Sequence, residues 1–165
     1  MNKIKILPYS KSFPRKFERV KNRIMRAIGR EVEIHHVGST AIPGMPGKGV
    51  IDILIGVGNW KEGSEIVRSL RRVGFVRGEA NRGRVFLSLR KGMKDTHVHI
   101  VRKGTKQCGD FLKFRDYLRT HSKDRKKYLE LKKTIYPLWR VKTEKYVVMK
   151  DRYVKSLLSR INRKS

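Results

Sequence analysis

Four groups of residues in this chain have types and spacings that could do chemistry. The first is a Gly-Ser-Thr turn, Gly38, Ser39 and Thr40, between an apolar run that ends at Val37 and another that begins at Gly49. Such a turn offers backbone N–H groups and two hydroxyls, the donors that cradle phosphate. An ordinary tight connection uses the same residues. The second is Asp52, twelve residues after Thr40 and inside GVIDILIGV. An ionised carboxylate among apolar neighbours is costly unless a cation, a metal or hydrogen-bond donors receive it. Two readings are open: a metal ligand that acts with Ser39 in catalysis, or a carboxylate that caps a turn or pairs with arginine.

The third group is His97 and His99 in THVHIV. In a regular strand Asp95, His97 and His99 share a face. Neutral imidazoles there would complete a mononuclear site with Asp52 for a divalent cation, Mg²⁺ or Mn²⁺ ahead of Zn²⁺. The other reading is a half-exposed polar face. His36, on the apolar side with Val32 and Ile34, reads as a hydrogen-bonded core histidine. The fourth group is cationic. If 110–120 is a helix, Phe111, Phe114 and Leu118 form its apolar face and Arg115 sits within it. Lys132 falls in the same way beside Tyr128, Leu131 and Ile135, and Lys150 beside Tyr146, Met149 and Tyr153. With Lys48 they would close a basic pocket around phosphate. Alternatively these stems snorkel, and the charges reach water or pair with Asp116, Asp124 or Asp151.

These groups need elements to hold them. Residues 12–28 open with Ser12 and Pro14, repeat apolar residues at helical spacing and stop at Gly29, which predicts a helix. Residues 31–37 and 49–57 read as strands, the second apolar on both faces and therefore central. A helix over about 60–73 ends before Gly74, and 84–90 with 95–102 read as a strand pair around a Gly-containing turn. From about 106 onward the chain reads as helix, in three segments broken near His121 and Pro137. The order predicts an α/β (α+β) domain, a mixed sheet flanked by helices and followed by a helical tail. Gly44, Gly47 and Gly49 would let the backbone approach a ligand closely.

Composition bounds what the chain does. Its 165 residues fit a single domain, 1–165, large enough to bury about two thirds of its unfolded surface. One cysteine, Cys108, excludes an intramolecular disulfide and CxxC-type zinc sites. No apolar run approaches the ~20 residues that span a bilayer, and the N-terminus has no apolar segment after its charges, so a cytoplasmic protein without a membrane partner is expected. Forty-two Lys+Arg against 14 Asp+Glu leave a net charge of +28. A heat-adapted ion-pair surface would enrich Glu as well. A surplus of this size attracts nucleic acid, RNA or DNA, in a salt-sensitive way; the other reading is a compositional bias with no dedicated partner.

A strand ending in Gly-Ser, with Asp on the next strand about a dozen residues on, resembles the nucleotidyltransferase signature. The usual second carboxylate, two residues further, is here Leu54. Side chains at 52 and 54 share a strand face, so the paired carboxylates of two-metal phosphoryl transfer are missing. The chain more closely resembles the GrpB family, itself nucleotidyltransferase-like, through 36-HVGSTAIPGMPGK-48, 51-IDILIGV-57, 97-HVH-99, 114-FRDYLR-119, 128-YLELK-132 and 146-YVVMK-150. It departs at His35, where the family usually has Glu, at 46-PGKG-49, at Thr96 and in its basic surface. The resemblance implies a fold and a pocket and no named reaction. Two functions follow as expectations: metal-dependent nucleotidyl or phosphoryl transfer from a nucleotide or other phosphorylated ligand, or a non-catalytic nucleic-acid binding module with a degenerate site.

Overall fold

The computed structural model describes residues 6–78, 83–89, 96–138 and 142–163. In chain order these form α1 (Phe13–Ile28), β1 (Glu33–Val37), a 3-10 turn (Ser39–Ala41), β2 (Ile51–Val57), α2 (Trp60–Arg72), β3 (Phe75–Arg77), β4 (Arg84–Leu89), β5 (Thr96–Arg102), α3 (Lys106–Thr120), α4 (Ser122–Ile135) and α5 (Thr143–Asn162). The five strands make one sheet in the order β1-β2-β5-β4-β3. Only β2 and β5 run parallel; the other pairs are antiparallel. The expected mixed sheet flanked by helices is therefore observed, with β2 inside it. β3 was not expected, because three residues are too short to display alternation. The Gly-containing turn predicted after 90 lies outside the described residues, as does Asp95.

Local chemistry sets the element ends. Gly29 takes φ 77° and its N–H caps Met25 O, closing α1. Asn59 caps α2 by accepting from Glu62 N, while the Glu62 carboxylate accepts from Gly58 N. Thr105 caps α3 by accepting from Cys108 N.

The two faces of the sheet bury different things. Ile51, Ile53, Ile55 and Val57 point from β2 into a core built with Phe13, Phe17, Val20 and Ile24 of α1 and Ile66 and Leu70 of α2. Leu54 points to the opposite face, where it packs with Val37, Val101 and Cys108 under α3. Period-2 alternation on a strand covered on both sides explains why β2 reads as an unbroken apolar run. A third cluster joins Ile42 and Met45, just after the 3-10 turn, to Leu118 of α3, Tyr128 of α4 and Leu157 of α5. It anchors the helical tail over the Gly-Ser-Thr turn. The tail thus carries cations to the sheet face on which Asp52 lies.

Candidate functional site

The site is built where β1 ends. Val37 pairs with Asp52 across the antiparallel ladder, so the chain leaving β1 turns directly beside that carboxylate. Gly38 takes φ 72° and ψ −170°, a region open essentially to glycine alone. A Cβ there would lie 2.3 Å from Asp52 Oδ2 and 2.9 Å from Asp52 Cβ. Glycine is required because the Asp52 side chain lies against the turn. The backbone then tightens through Ala41 N to Gly38 O and Ile42 N to Ser39 O.

On the other side of β2, His97 pairs with Asp52 across the parallel ladder and His99 sits one step further along the same face. His97 Nδ1 is 3.3 Å and His99 Nε2 3.4 Å from the same oxygen, Asp52 Oδ1. Burial alone would raise the Asp52 carboxyl, but hydrogen bonds from His97 and His99 outweigh it and hold the group below the usual carboxylate range. Burial pushes the His99 imidazole down, against the opposing pull of Asp52. His99 Nδ1 is buried without a hydrogen-bond partner. The rings of Phe86 and Phe111 stand 5.4 and 5.0 Å from the His99 ring.

Three lysines arrive from three segments. Lys132 of α4 is 4% exposed. Its Nζ donates to Ser39 Oγ at 2.7 Å and to Pro46 O at 2.6 Å. Gly47 makes room for this contact, since a Cβ there would stand 3.2 Å from Lys132 Nζ and 3.3 Å from Ser39 Cβ. The close approach expected of the 44–49 glycines is here to the protein's own side chains. Lys48 Nζ lies 4.4 Å from the centre of the Tyr146 ring. Burial pushes the Lys48 ammonium down to about 7, helped by repulsion from Lys150 and Lys132 and opposed by Asp52. Burial likewise brings Lys132 down to about 8, again with Lys150 repelling and Asp52 opposing. Lys48, Lys132 and Lys150 therefore form one electrostatic group, in which Lys48 and Lys132 also sense Asp52.

Two of the residues predicted to hold phosphate are engaged elsewhere. The Thr40 hydroxyl donates to Val50 O at 2.9 Å and meets His36 Nε2 at 3.0 Å, and Thr40 is 2% exposed. Burial lowers His36 to about 4 despite Asp52, so the neutral ring donates from Nε2 to Thr40, and it stacks on Phe17. Arg115 gives Nε and Nη2 to Asp116 at 2.7 and 2.9 Å and Nη1 to His36 O at 3.1 Å. It clamps the end of β1 to α3, and Arg119 does the same for the turn through Ala41 O. Arg115→Ala is accordingly expected to cost about 1–3 kcal/mol, by leaving the His36 carbonyl without its donor; the urea midpoint measures it.

Sequence reasoning missed Pro46 O, the Tyr146 ring and Arg119. Among the described residues, no group of three or more His, Cys, Asp or Glu side chains is placed to hold a metal ion. No described helix is long and apolar enough to cross a membrane.

The arrangement has likenesses among known proteins. The profile of the family described as GrpB protein matches residues 3–160. A UPF0157 protein of Halalkalibacterium halodurans is 32% identical over 166 residues, spanning 96% of this chain and 83% of that protein. The crystal structure of GrpB from Enterococcus faecalis aligns with a TM-score of 0.82 at 26% identity, over 95% of this chain and 96% of that one. The Cid1 poly(U) polymerase with MgGTP bound aligns with a TM-score of 0.56 at 14% identity, over 78% of this chain and 44% of that one, a likeness of fold.

Proposed function

Because the chain belongs to the GrpB family and shares a nucleotidyltransferase-like fold with Cid1 over 78% of its length, we propose that it binds a nucleotide or other phosphorylated ligand beside Asp52, acting in the cytoplasm, and transfers a nucleotidyl or phosphoryl group from it. The observation that carries this reading is the contact of buried Lys132 with Ser39, with Lys48 and Lys150 close enough to repel it and with Asp52 acting on both Lys48 and Lys132. Bringing three ammonium groups together under partial burial is unfavourable. A phosphate group placed among them offsets both the burial and the mutual repulsion.

In this reading Lys132 holds the Ser39 hydroxyl beside the ligand. Gly38 and Thr40 contribute backbone N–H groups, and the three lysines neutralise the charge that develops on transfer. Arg115 acts indirectly, by fixing the end of β1. The donor set fits a divalent cation only in company with the ligand, since Asp52 is one carboxylate and no protein-only metal group is present among the described residues. Asp52, with phosphate oxygens completing the shell and with His97 and His99 turned to offer the ion a lone pair in place of the hydrogen bonds they now give Asp52, would hold Mg²⁺ or Mn²⁺ there and supply Lewis-acid polarisation. Mg²⁺ or Mn²⁺ alone is therefore expected to leave the melting temperature unchanged, to add to the rise given by a nucleoside triphosphate, and to lose that added rise in Asp52→Asn. A comparable rise from the metal alone would show that the protein holds the ion unaided.

The lysines also give the site a pH signature. Lys48 near 7 is partly neutral in the free protein above pH 7 and is recharged by an anion. Affinity for pyrophosphate should fall as pH rises from 7 to 9, with net proton uptake at pH 8. Calorimetry in buffers of different ionisation enthalpy measures both.

A second reading, a nucleic-acid binding module, is favoured by Leu54. It is 0% exposed at the position where the second carboxylate of the signature would stand. The net charge of +28 supports it. Here purified protein would carry RNA or DNA from the cell and release it steeply with salt, while labelled nucleoside triphosphates give no transfer.

A further inference from the structure

Lys132 and Ser39 make a contact that phosphate binding alone does not require. An ammonium that serves only to attract phosphate does best with its donors aimed at the ligand. Lys132 instead lies 2.7 Å from the Ser39 hydroxyl oxygen and 2.6 Å from Pro46 O, at 4% exposure. A serine and a buried lysine at this distance have the geometry of a nucleophile and its general base. Ser39 itself is only half-buried. A side chain at position 47 would crowd the pair, since a Cβ there would stand 3.2 Å from Lys132 Nζ and 3.3 Å from Ser39 Cβ.

We infer that Ser39 and Lys132 form a nucleophile and general-base pair that takes a phosphoryl or nucleotidyl group onto the Ser39 oxygen from a phosphoanhydride or phosphoester donor. The inference rests on the reading above, in which a phosphorylated ligand enters this pocket. In the step, Ser39 Oγ forms a bond to phosphorus and the bond from phosphorus to the leaving oxygen breaks with its electron pair. The hydroxyl proton passes to the neutral amine of Lys132. A water or alcohol then attacks the same phosphorus and releases its proton to solvent, the bond from Ser39 Oγ to phosphorus breaks, and Lys132 returns its proton to the leaving Ser39 Oγ. Neither half needs an oxidant or reductant. Lys132 near 8 provides a usable fraction of neutral amine at physiological pH, and in that form the 2.7 Å hydrogen bond reverses, the Ser39 hydroxyl donating to Nζ. The groups that face this amine are Lys150 from α5, Asp52 from β2, Lys48 from the 44–49 loop and the Tyr128 ring on its own helix.

The test uses the intact protein and an alkyl fluorophosphonate, whose phosphorus accepts a serine oxygen with loss of fluoride. Peptide mapping should place the label on Ser39, and Ser39→Ala should lose it. Lys132→Met should slow labelling by about 100-fold or more while circular dichroism stays unchanged. If Lys132→Met does not fold, the native protein decides: its labelling rate should rise with pH and level off above about 8, whereas a flat profile removes Lys132 as the base. Thermal shift with nucleoside triphosphates runs in parallel. A triphosphate-induced rise with no label on Ser39 overturns the pair and leaves the binding site standing. Label on Ser39 without any nucleotide effect keeps the pair and overturns the nucleotide reading. Absence of both overturns both.

Discussion

Gly38→Ala is expected to destabilise the protein by about 3 kcal/mol, which for a domain of this size lowers the melting temperature by roughly 6–12 °C. Two effects add. An alanine at φ 72° and ψ −170° occupies a region that costs about 1–3 kcal/mol for residues with a Cβ. Its methyl would also stand 2.3 Å from Asp52 Oδ2, so the carboxylate must move. Because Asp52 Oδ1 is held by His97 and His99, that movement breaks the trio, and ligand binding should fall with stability. Melting curves and pyrophosphate titrations check both halves. A Gly38→Ala protein that melts within a degree of the parent would mean the turn does not press on Asp52.

Lys132→Met is expected to separate stability from binding. Affinity for pyrophosphate or a nucleoside triphosphate should fall about 10- to 100-fold, the worth of one charge-assisted hydrogen bond at about 1.4 kcal/mol per decade. The ligand-free variant, by contrast, should melt close to the parent at pH 7, because the desolvation cost removed with the ammonium offsets the donor that Pro46 O loses. Replacing a buried charge by an apolar chain of similar volume removes a desolvation cost. The sign follows from the titration: Lys132 is brought down to about 8 in the folded protein, against ~10.4 for a free lysine. Between those values the unfolded chain binds more protons, so the parent gains stability from this group as pH rises from about 8 to 10. The variant lacks that gain, and any advantage it has at pH 7 should shrink by pH 10. A large loss of stability at pH 7 would instead make Lys132 a structural tie between α4 and the 3-10 turn.

Much of this was legible in the sequence, and the parts that were not have physical reasons. Asp52 stood out because a carboxylate in a run that must be apolar on both faces needs a partner, and the Val37–Asp52 register brings it beside the Gly-Ser-Thr turn. Lys132 and Arg115 carried the same signal, a cation within a helix's apolar stripe. Their fates differ for reasons the stripe does not encode. Arg115 has Asp116 within reach of its planar fork and His36 O opposite. Lys132 meets a serine hydroxyl and a carbonyl on a glycine-rich loop. Thr40 reads like Ser39 in sequence, yet its hydroxyl donates to the Val50 carbonyl, ten residues on. The 44–49 loop is itself fixed from outside, by Leu7 exchanging backbone hydrogen bonds with Gly47, a pairing no local pattern announces. The two imidazoles were placed on the Asp52 face by alternation alone. Their convergence on a single carboxylate oxygen depends on the parallel pairing of β2 with β5, which the sequence does not specify.

The central claim is that Lys48, Lys132 and Lys150 receive phosphate beside Asp52. Isothermal titration of the protein at pH 7 with inorganic pyrophosphate and with each of the four nucleoside triphosphates, in the presence of Mg²⁺, tests it most directly. Saturable 1:1 binding of at least one of them, weakened about tenfold or more in both Lys132→Met and Lys150→Met, is the predicted result. No heat from any of the five, or binding that both variants leave untouched, would contradict it.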